Sequence, residues 1–233
     1  MKTLLVDLDD TLLDYSGGVD ECWTAACHAV ATPVGIDSAR LVESVRVARR
    51  WFWDDPERHR RERTNMLGAW SKIVADGFVR LGTPNEILAV AIAEDFAARR
   101  WQAMRLFPRV EETLARLRER GVTMALVTNG DKSHQRRKIE TFDLGRYFDV
   151  ILIEGEFGTG KPDEAVYRHV LERLGVLPRD ASMVGDHFEW DVAAPQRLGL
   201  RGIWIDREGV GLAPGVAERP HRIIRDFPEI LEP

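Results

Sequence analysis

The chain has 233 residues with a formal net charge of −5, and 44% of them are hydrophobic and 30% charged. A chain of that length buries roughly 70–75% of its unfolded surface, so it can fold without disulfides or a structural metal. Its acidic balance disfavours binding to a phosphate backbone and so excludes a typical nucleic-acid partner.

The two cysteines, Cys22 and Cys27, make no disulfide framework and fit a reducing cytoplasm. Spaced five apart on an expected helix, they point to different faces. No apolar run approaches the roughly 20 residues that a membrane span needs. Met1-Lys2-Thr3 leads straight into Leu4-Leu5-Val6-Asp7. So short an apolar run ending in a carboxylate reads as a buried strand, not a signal peptide. The expectation is a cytoplasmic globular protein with no membrane partner, its oligomeric state open.

In chain order, residues 3–8 form the first expected strand. More than 100 residues without a convincing strand follow, with helical periodicity at 20–31, 38–53, 59–81 and 84–101. Further strands are expected at 123–128, 149–154, 181–185, 202–205 and 222–224. Helices at 109–120, 132–142, 164–174 and 189–198 separate most of them, and Gly121, Gly175 and Gly199 supply C-caps. The strands are nearly continuously apolar, as strands covered on both faces are. This alternation predicts an α/β fold, a Rossmann-like doubly wound parallel sheet with an inserted all-α domain. The expected boundaries are 1–14 and 105–233 for the core and 15–104 for the insertion. Gly17-Gly18 reads as a loose hinge at the first crossing, and residues 227–233 as a last turn plus fray.

Four short motifs end four of these strands. Asp7-Leu8-Asp9-Asp10-Thr11 places Asp7 and Asp9 at period two; either it carries chemistry, or its carboxylates only cap a turn. Thr128-Asn129-Gly130 can donate to an anion at a helix start or act as a plain N-cap. Gly158-Thr159-Gly160-Lys161-Pro162 contains one of only five lysines, equally readable as a solvated loop residue. Gly185-Asp186-His187-Phe188-Glu189-Trp190-Asp191 delivers Asp186 to a strand tip with Asp191 one turn on. Ligands of open α/β sheets bind at the carboxyl ends of the strands, so these motifs can converge there. Two carboxylates about 4 Å apart repel by roughly 4 kcal/mol at an effective dielectric near 20. A cluster of them therefore calls for a hard divalent cation, and all-oxygen ligands suit Mg²⁺.

The set Asp7-x-Asp9-x-Thr11, Thr128-Asn129, Lys161-Pro162 and Gly185-Asp186-x-x-x-x-Asp191 resembles the four motifs of the haloacid dehalogenase-like hydrolases in order, spacing and strand placement. The helical insertion after the first motif resembles that superfamily's cap. The resemblance implies a Mg²⁺-dependent phosphatase acting on a small phosphorylated metabolite of the nucleotide or sugar phosphate type. It makes Asp7 the nucleophile that becomes an aspartyl-phosphate, and Asp9 the acid and base that serves the leaving oxygen and then the water. Catalytic roles also fall to Thr128 and Lys161, and substrate contacts to Asp10, Thr128, Asn129 and Lys161. Mg²⁺ would be held by Asp7, the Asp9 main-chain carbonyl and Asp186, with Asp191 behind them. Dehalogenating members lack an aspartate two residues after the nucleophile, so Asp9 favours phosphoryl transfer; a phosphomutase is the alternative, then a 2-haloacid dehalogenase or a non-catalytic relative. In the insertion, the basic run 57–63 reads as a solvated helix start with local pairing, the alternative being a substrate-facing lid.

Overall fold

The computed structural model describes residues 2–232. They divide into two compact units, one of residues 2–14 and 105–232 and the other of residues 15–104.

The first unit is built on six parallel strands: β1 (Thr3–Val6), β2 (Thr123–Thr128), β3 (Val150–Ile153), β4 (Ala181–Gly185), β5 (Arg201–Ile205) and β6 (Arg222–Ile224). Their order is β3-β2-β1-β4-β5-β6. The chain winds outward from β1 to β2 and β3 on one side and from β4 to β5 and β6 on the other. The order therefore reverses between β1 and β4, and a crevice opens at such a switch point beyond the strand ends. Thr3 faces Thr123 on one neighbour and Ala181 on the other. All four β1 residues are buried, which is why that segment is an unbroken apolar run.

The second unit holds α1 (Val19–Ala31), α2 (Ser38–Trp53), α3 (Pro56–Glu62), α4 (Met66–Arg80) and α5 (Glu86–Ala103). Trp23 stacks on Phe96 with ring centroids 3.7 Å apart, and Trp70 meets the same Phe96 edge-on at 5.1 Å. Cys22 and Cys27 are both free and both buried in this core, so the two faces they occupy are both inward. Burial pushes the Cys27 thiol up to about 12, leaving it an inert packing group.

Several expectations need correction. The helix expected at 59–81 is two. Asp55 caps α3 by accepting from Arg58 N, and Asn65 restarts the chain as α4 by accepting from Gly68 N. The strand expected to reach residue 8 ends at Val6, because Leu8 O turns to accept from Leu12 N and Leu13 N. The helix expected at 189–198 is a π-helical segment, Phe188–Ala193, followed by a short α-helix, Ala194–Arg197. The expected last turn at the C-terminus is present: Phe227–Leu231 is a 3₁₀ turn with a capping box at Asp226, and Phe227 is buried. The residue at 233 lies outside the described range. Gly18 is the left-handed N-cap of α1, and buried Arg100 donates to the carbonyls of Gly17 and Tyr15.

The remaining helices of the first unit are α6 (Val110–Glu119), α7 (Lys132–Thr141), α8 (Glu154–Phe157), α9 (Glu164–Leu174) and α10 (Ala194–Arg197). Among the described residues no helix is long and apolar enough to cross a membrane.

Candidate active site

Asp7 follows directly on β1 and keeps the ladder, donating its backbone N–H to Val184 O at 3.0 Å. Its side chain is therefore held beside the end of β4, where Asp186 follows Gly185. The three carboxylates of Asp7, Asp186 and Asp191 place oxygens within 4.8 Å of one another. Lys161 Nζ donates to Asp7 Oδ1 and to Asp191 Oδ1, each at 2.7 Å. Thr11 Oγ1 donates to Asp7 Oδ2 at 3.0 Å and lies 3.5 Å from Asp186 Oδ1. The backbone carbonyl of Asp186 accepts from the Trp204 indole at 2.8 Å, which ties its loop to β5.

Asp191 reaches this group because of the π-helical turn that carries it and because Gly185 has no side chain. A Cβ on Gly185 would stand 2.3 Å from the Asp191 carboxyl carbon. His187 is the N-cap of that turn: its backbone N–H donates to Asp191 Oδ2 at 3.1 Å and its ring stacks on Trp190.

Electrostatically the site is under tension. Burial pushes Asp7 up to about 6, with the Lys161 charge opposing and the Asp191 charge assisting. Asp186 is pushed up to about 8 by burial and then by the charges of Asp7 and Asp191. Burial likewise raises Asp191, against the pull of Lys161. Burial disfavours the Lys161 charge, but Asp191 and Asp7 outweigh it and hold the ammonium above its ordinary range. One lysine does not balance three carboxylates, two of them buried and that of Asp186 half-buried. A hard cation among Asp7 and Asp186 would, and these oxygen donors fit one.

The other candidates sit on two loops that are stitched together. The Asn129 amide accepts from Lys161 N at 2.7 Å and donates to Lys161 O at 2.9 Å, fixing both backbone groups of the lysine. Asp10 has left-handed backbone (φ 58°) and donates its N–H to Leu13 O at 2.7 Å. Asp9 lies outside the triad. Its carboxylate accepts from Lys138 Nζ at 2.8 Å on both oxygens, and Oδ2 also accepts from Gln135 Nε2 at 3.0 Å. The same Gln135 nitrogen donates to Thr128 Oγ1 at 2.5 Å.

The haloacid dehalogenase-like hydrolase family model matches residues 1–199. This chain belongs to that family. It is similar to the phosphoserine phosphatase of Thermus thermophilus, 32% identical over 99% of this chain and 98% of that one. It is also similar to the N-acylneuraminate-9-phosphatase of Rattus norvegicus, 35% identical over 64% of this chain and 60% of that one. Among solved structures it resembles the 2-haloacid dehalogenase of Pseudomonas syringae, with a TM-score of 0.66 and 26% identity over 99% of this chain and 96% of that one.

Three residues of this hydrolase's site escaped the sequence reading: Gln135 and Lys138 of α7, and Glu154, whose Oε2 accepts from Gly130 N at 2.8 Å. A signal for the first two exists. In a strongly polar helix, Gln135, Lys138 and Ile139 share one face at helical spacing and are the buried ones. An amide and an ammonium on the inward stripe mark polar partners waiting in the interior.

In the helical unit, the basic run 57–63 is engaged locally. Arg58 lies over the Trp51 ring at 3.8 Å and donates to Phe52 O at 2.9 Å. Buried Glu62 pairs with Lys72 at 2.6 Å and with Arg61 at 3.1 Å.

Proposed function

We propose that this hydrolase cleaves the phosphate monoester of a small phosphorylated metabolite through an aspartyl-phosphate on Asp7. The observation that carries the reading is the buried Asp7 carboxylate at a strand tip, paired at 2.7 Å with Lys161 and accompanied two residues on by Asp9. A carboxylate with an adjacent fixed cation can attack a phosphorus that the same cation helps to hold.

In the first half, Asp7 attacks phosphorus and the bond to the leaving oxygen breaks, that oxygen taking the proton of Asp9. In the second, Asp9 takes a proton from water, whose oxygen attacks phosphorus. The bond to Asp7 breaks, and inorganic phosphate leaves. Thr128 and Lys161 contact the phosphoryl oxygens, and Asn129 keeps the lysine loop in place. Asp10 is the remaining substrate contact. Mg²⁺ would be held by the Asp7 and Asp186 side chains and the Asp9 carbonyl, supplying positive charge that offsets the clustered carboxylates and the phosphate. Asp191 positions Lys161. The all-α unit is the cap that selects the substrate.

The relatives' names include phosphatases of an amino-acid phosphate and of an acylated sugar phosphate, which supports the substrate class without choosing within it. A phosphomutase would use the same groups and is the second reading; a dehalogenase would have no use for Asp9. The test is hydrolysis of a panel of phosphate esters with Mg²⁺ by purified protein. Asp7→Asn should abolish turnover while leaving the thermal midpoint unchanged or higher, since it relieves repulsion among the carboxylates. Retention of a tenth of the native rate would sink the nucleophile assignment.

A further inference from the structure

Lys138 is 1% exposed and Gln135 2%, so both polar ends are withdrawn from water and must find partners inside. They stand three residues apart on α7, on one face of the helix. Lys138 Nζ lies 2.8 Å from both oxygens of Asp9, a symmetric charge-assisted hold on the carboxylate's position, while Gln135 approaches Oδ2 from a second direction.

Gln135 works on two groups with one nitrogen. Of the two hydrogens on Nε2, one goes to Asp9 Oδ2 at 3.0 Å and the other to Thr128 Oγ1 at 2.5 Å. Because the hydroxyl oxygen already accepts there, its own hydrogen is left to be donated. Among the described residues it reaches only the Asn129 carbonyl, at a long 3.3 Å. A phosphoryl oxygen would be a shorter and charged acceptor, so Gln135 makes Thr128 a donor aimed at an anion.

We propose that Lys138 and Gln135 are positioning residues of the reaction: Lys138 sets the carboxylate of Asp9 for proton transfer, and Gln135 couples that carboxylate to the hydroxyl of Thr128. The inference rests on the phosphomonoesterase reading above. It places a buried helix face that touches neither phosphorus nor metal in control of the acid.

The test uses leaving-group dependence. p-Nitrophenolate departs without a proton, whereas an alkoxide or plain phenolate needs one as its bond to phosphorus breaks. In kcat/KM, which reports the steps through the first phosphoryl transfer, Lys138→Met should cost phenyl phosphate at least tenfold more than p-nitrophenyl phosphate. Lys138→Arg should restore most of the difference. Gln135→Leu should raise KM for both esters severalfold, the Thr128 hydroxyl having lost its orientation, and should show a smaller leaving-group effect.

Lys138→Gln, which keeps one donor, serves if the Met variant does not fold, with an intermediate loss expected. Equal losses on the two esters, or an Arg variant no better than Met, would overturn the positioning role while leaving the hydrolase reading intact. Native protein inactive on both esters with Mg²⁺ would overturn that reading, and this inference with it.

Discussion

The ammonium nitrogen of Lys161 lies 2.7 Å from Asp191 Oδ1, and each of the two side chains is 1% exposed. Breaking so buried a pair leaves an uncompensated charge, at a typical cost of about 3–5 kcal/mol. Lys161→Met is expected to lower the unfolding free energy by about that amount and to abolish turnover. The loss should be smaller at pH 5 than at pH 8, because Asp7 and Asp191 can protonate once their cation is gone. Urea titrations at the two pH values check this, and an unchanged midpoint at both would contradict it.

A second expectation concerns Gly185. Its backbone is ordinary strand, so alanine there meets no conformational strain and acts only through space. The added Cβ would stand 2.3 Å from the Asp191 carboxyl carbon and must push that carboxylate off Lys161. Gly185→Ala should cost about 1–3 kcal/mol, as overpacking does, and lower kcat by more than tenfold. Native activity in this variant would mean that Asp191 has no part in positioning Lys161.

The pH dependence of the metal-free protein follows from Asp7 at about 6 and Asp186 at about 8, both above the ordinary 3.8. Between these values the folded chain binds more protons than the unfolded one, so stability falls as pH rises. The contribution is complete below about pH 4 and is lost as pH passes through 6 and then 8. In EDTA the thermal midpoint should therefore decline from pH 5 to pH 8.5, and Asp186→Asn should flatten the decline. A steeper fall in that variant would show the sign to be wrong.

Metal removal gives the companion result. EDTA should abolish ester hydrolysis and added Mg²⁺ restore it. Because a cation stabilises the ionised carboxylates, millimolar Mg²⁺ should raise the midpoint more at pH 8 than at pH 5. Asp186→Asn should need at least tenfold more Mg²⁺ for half-maximal activity. Full activity of EDTA-treated protein would refute the metal requirement.

What the sequence by itself determined is the α/β class and the positions of the six strands. Full burial of a parallel strand forces a continuous apolar run, and such runs stop where a carboxylate or glycine reaches the sheet edge. β2 and β4, buried almost throughout, coincide with their runs at 123–128 and 181–185, and the edge strand β6 coincides with 222–224 although only Ile224 of it is buried. Element ends held by a single side chain were less legible. Nothing in the periodicity of 59–81 distinguishes Asn65 as a cap from Asn65 as an interior residue, and only its bond to Gly68 N decides it. Tertiary structure alone decided the pairings: Lys138 with Asp9, 129 residues away, and Asp191 laid over Gly185 against Lys161. Local pattern encodes which face of an element is buried. It does not encode which polar group meets that face, because the partner arrives from a distant strand end, and the strand order that brings it there emerges only when the whole sheet closes.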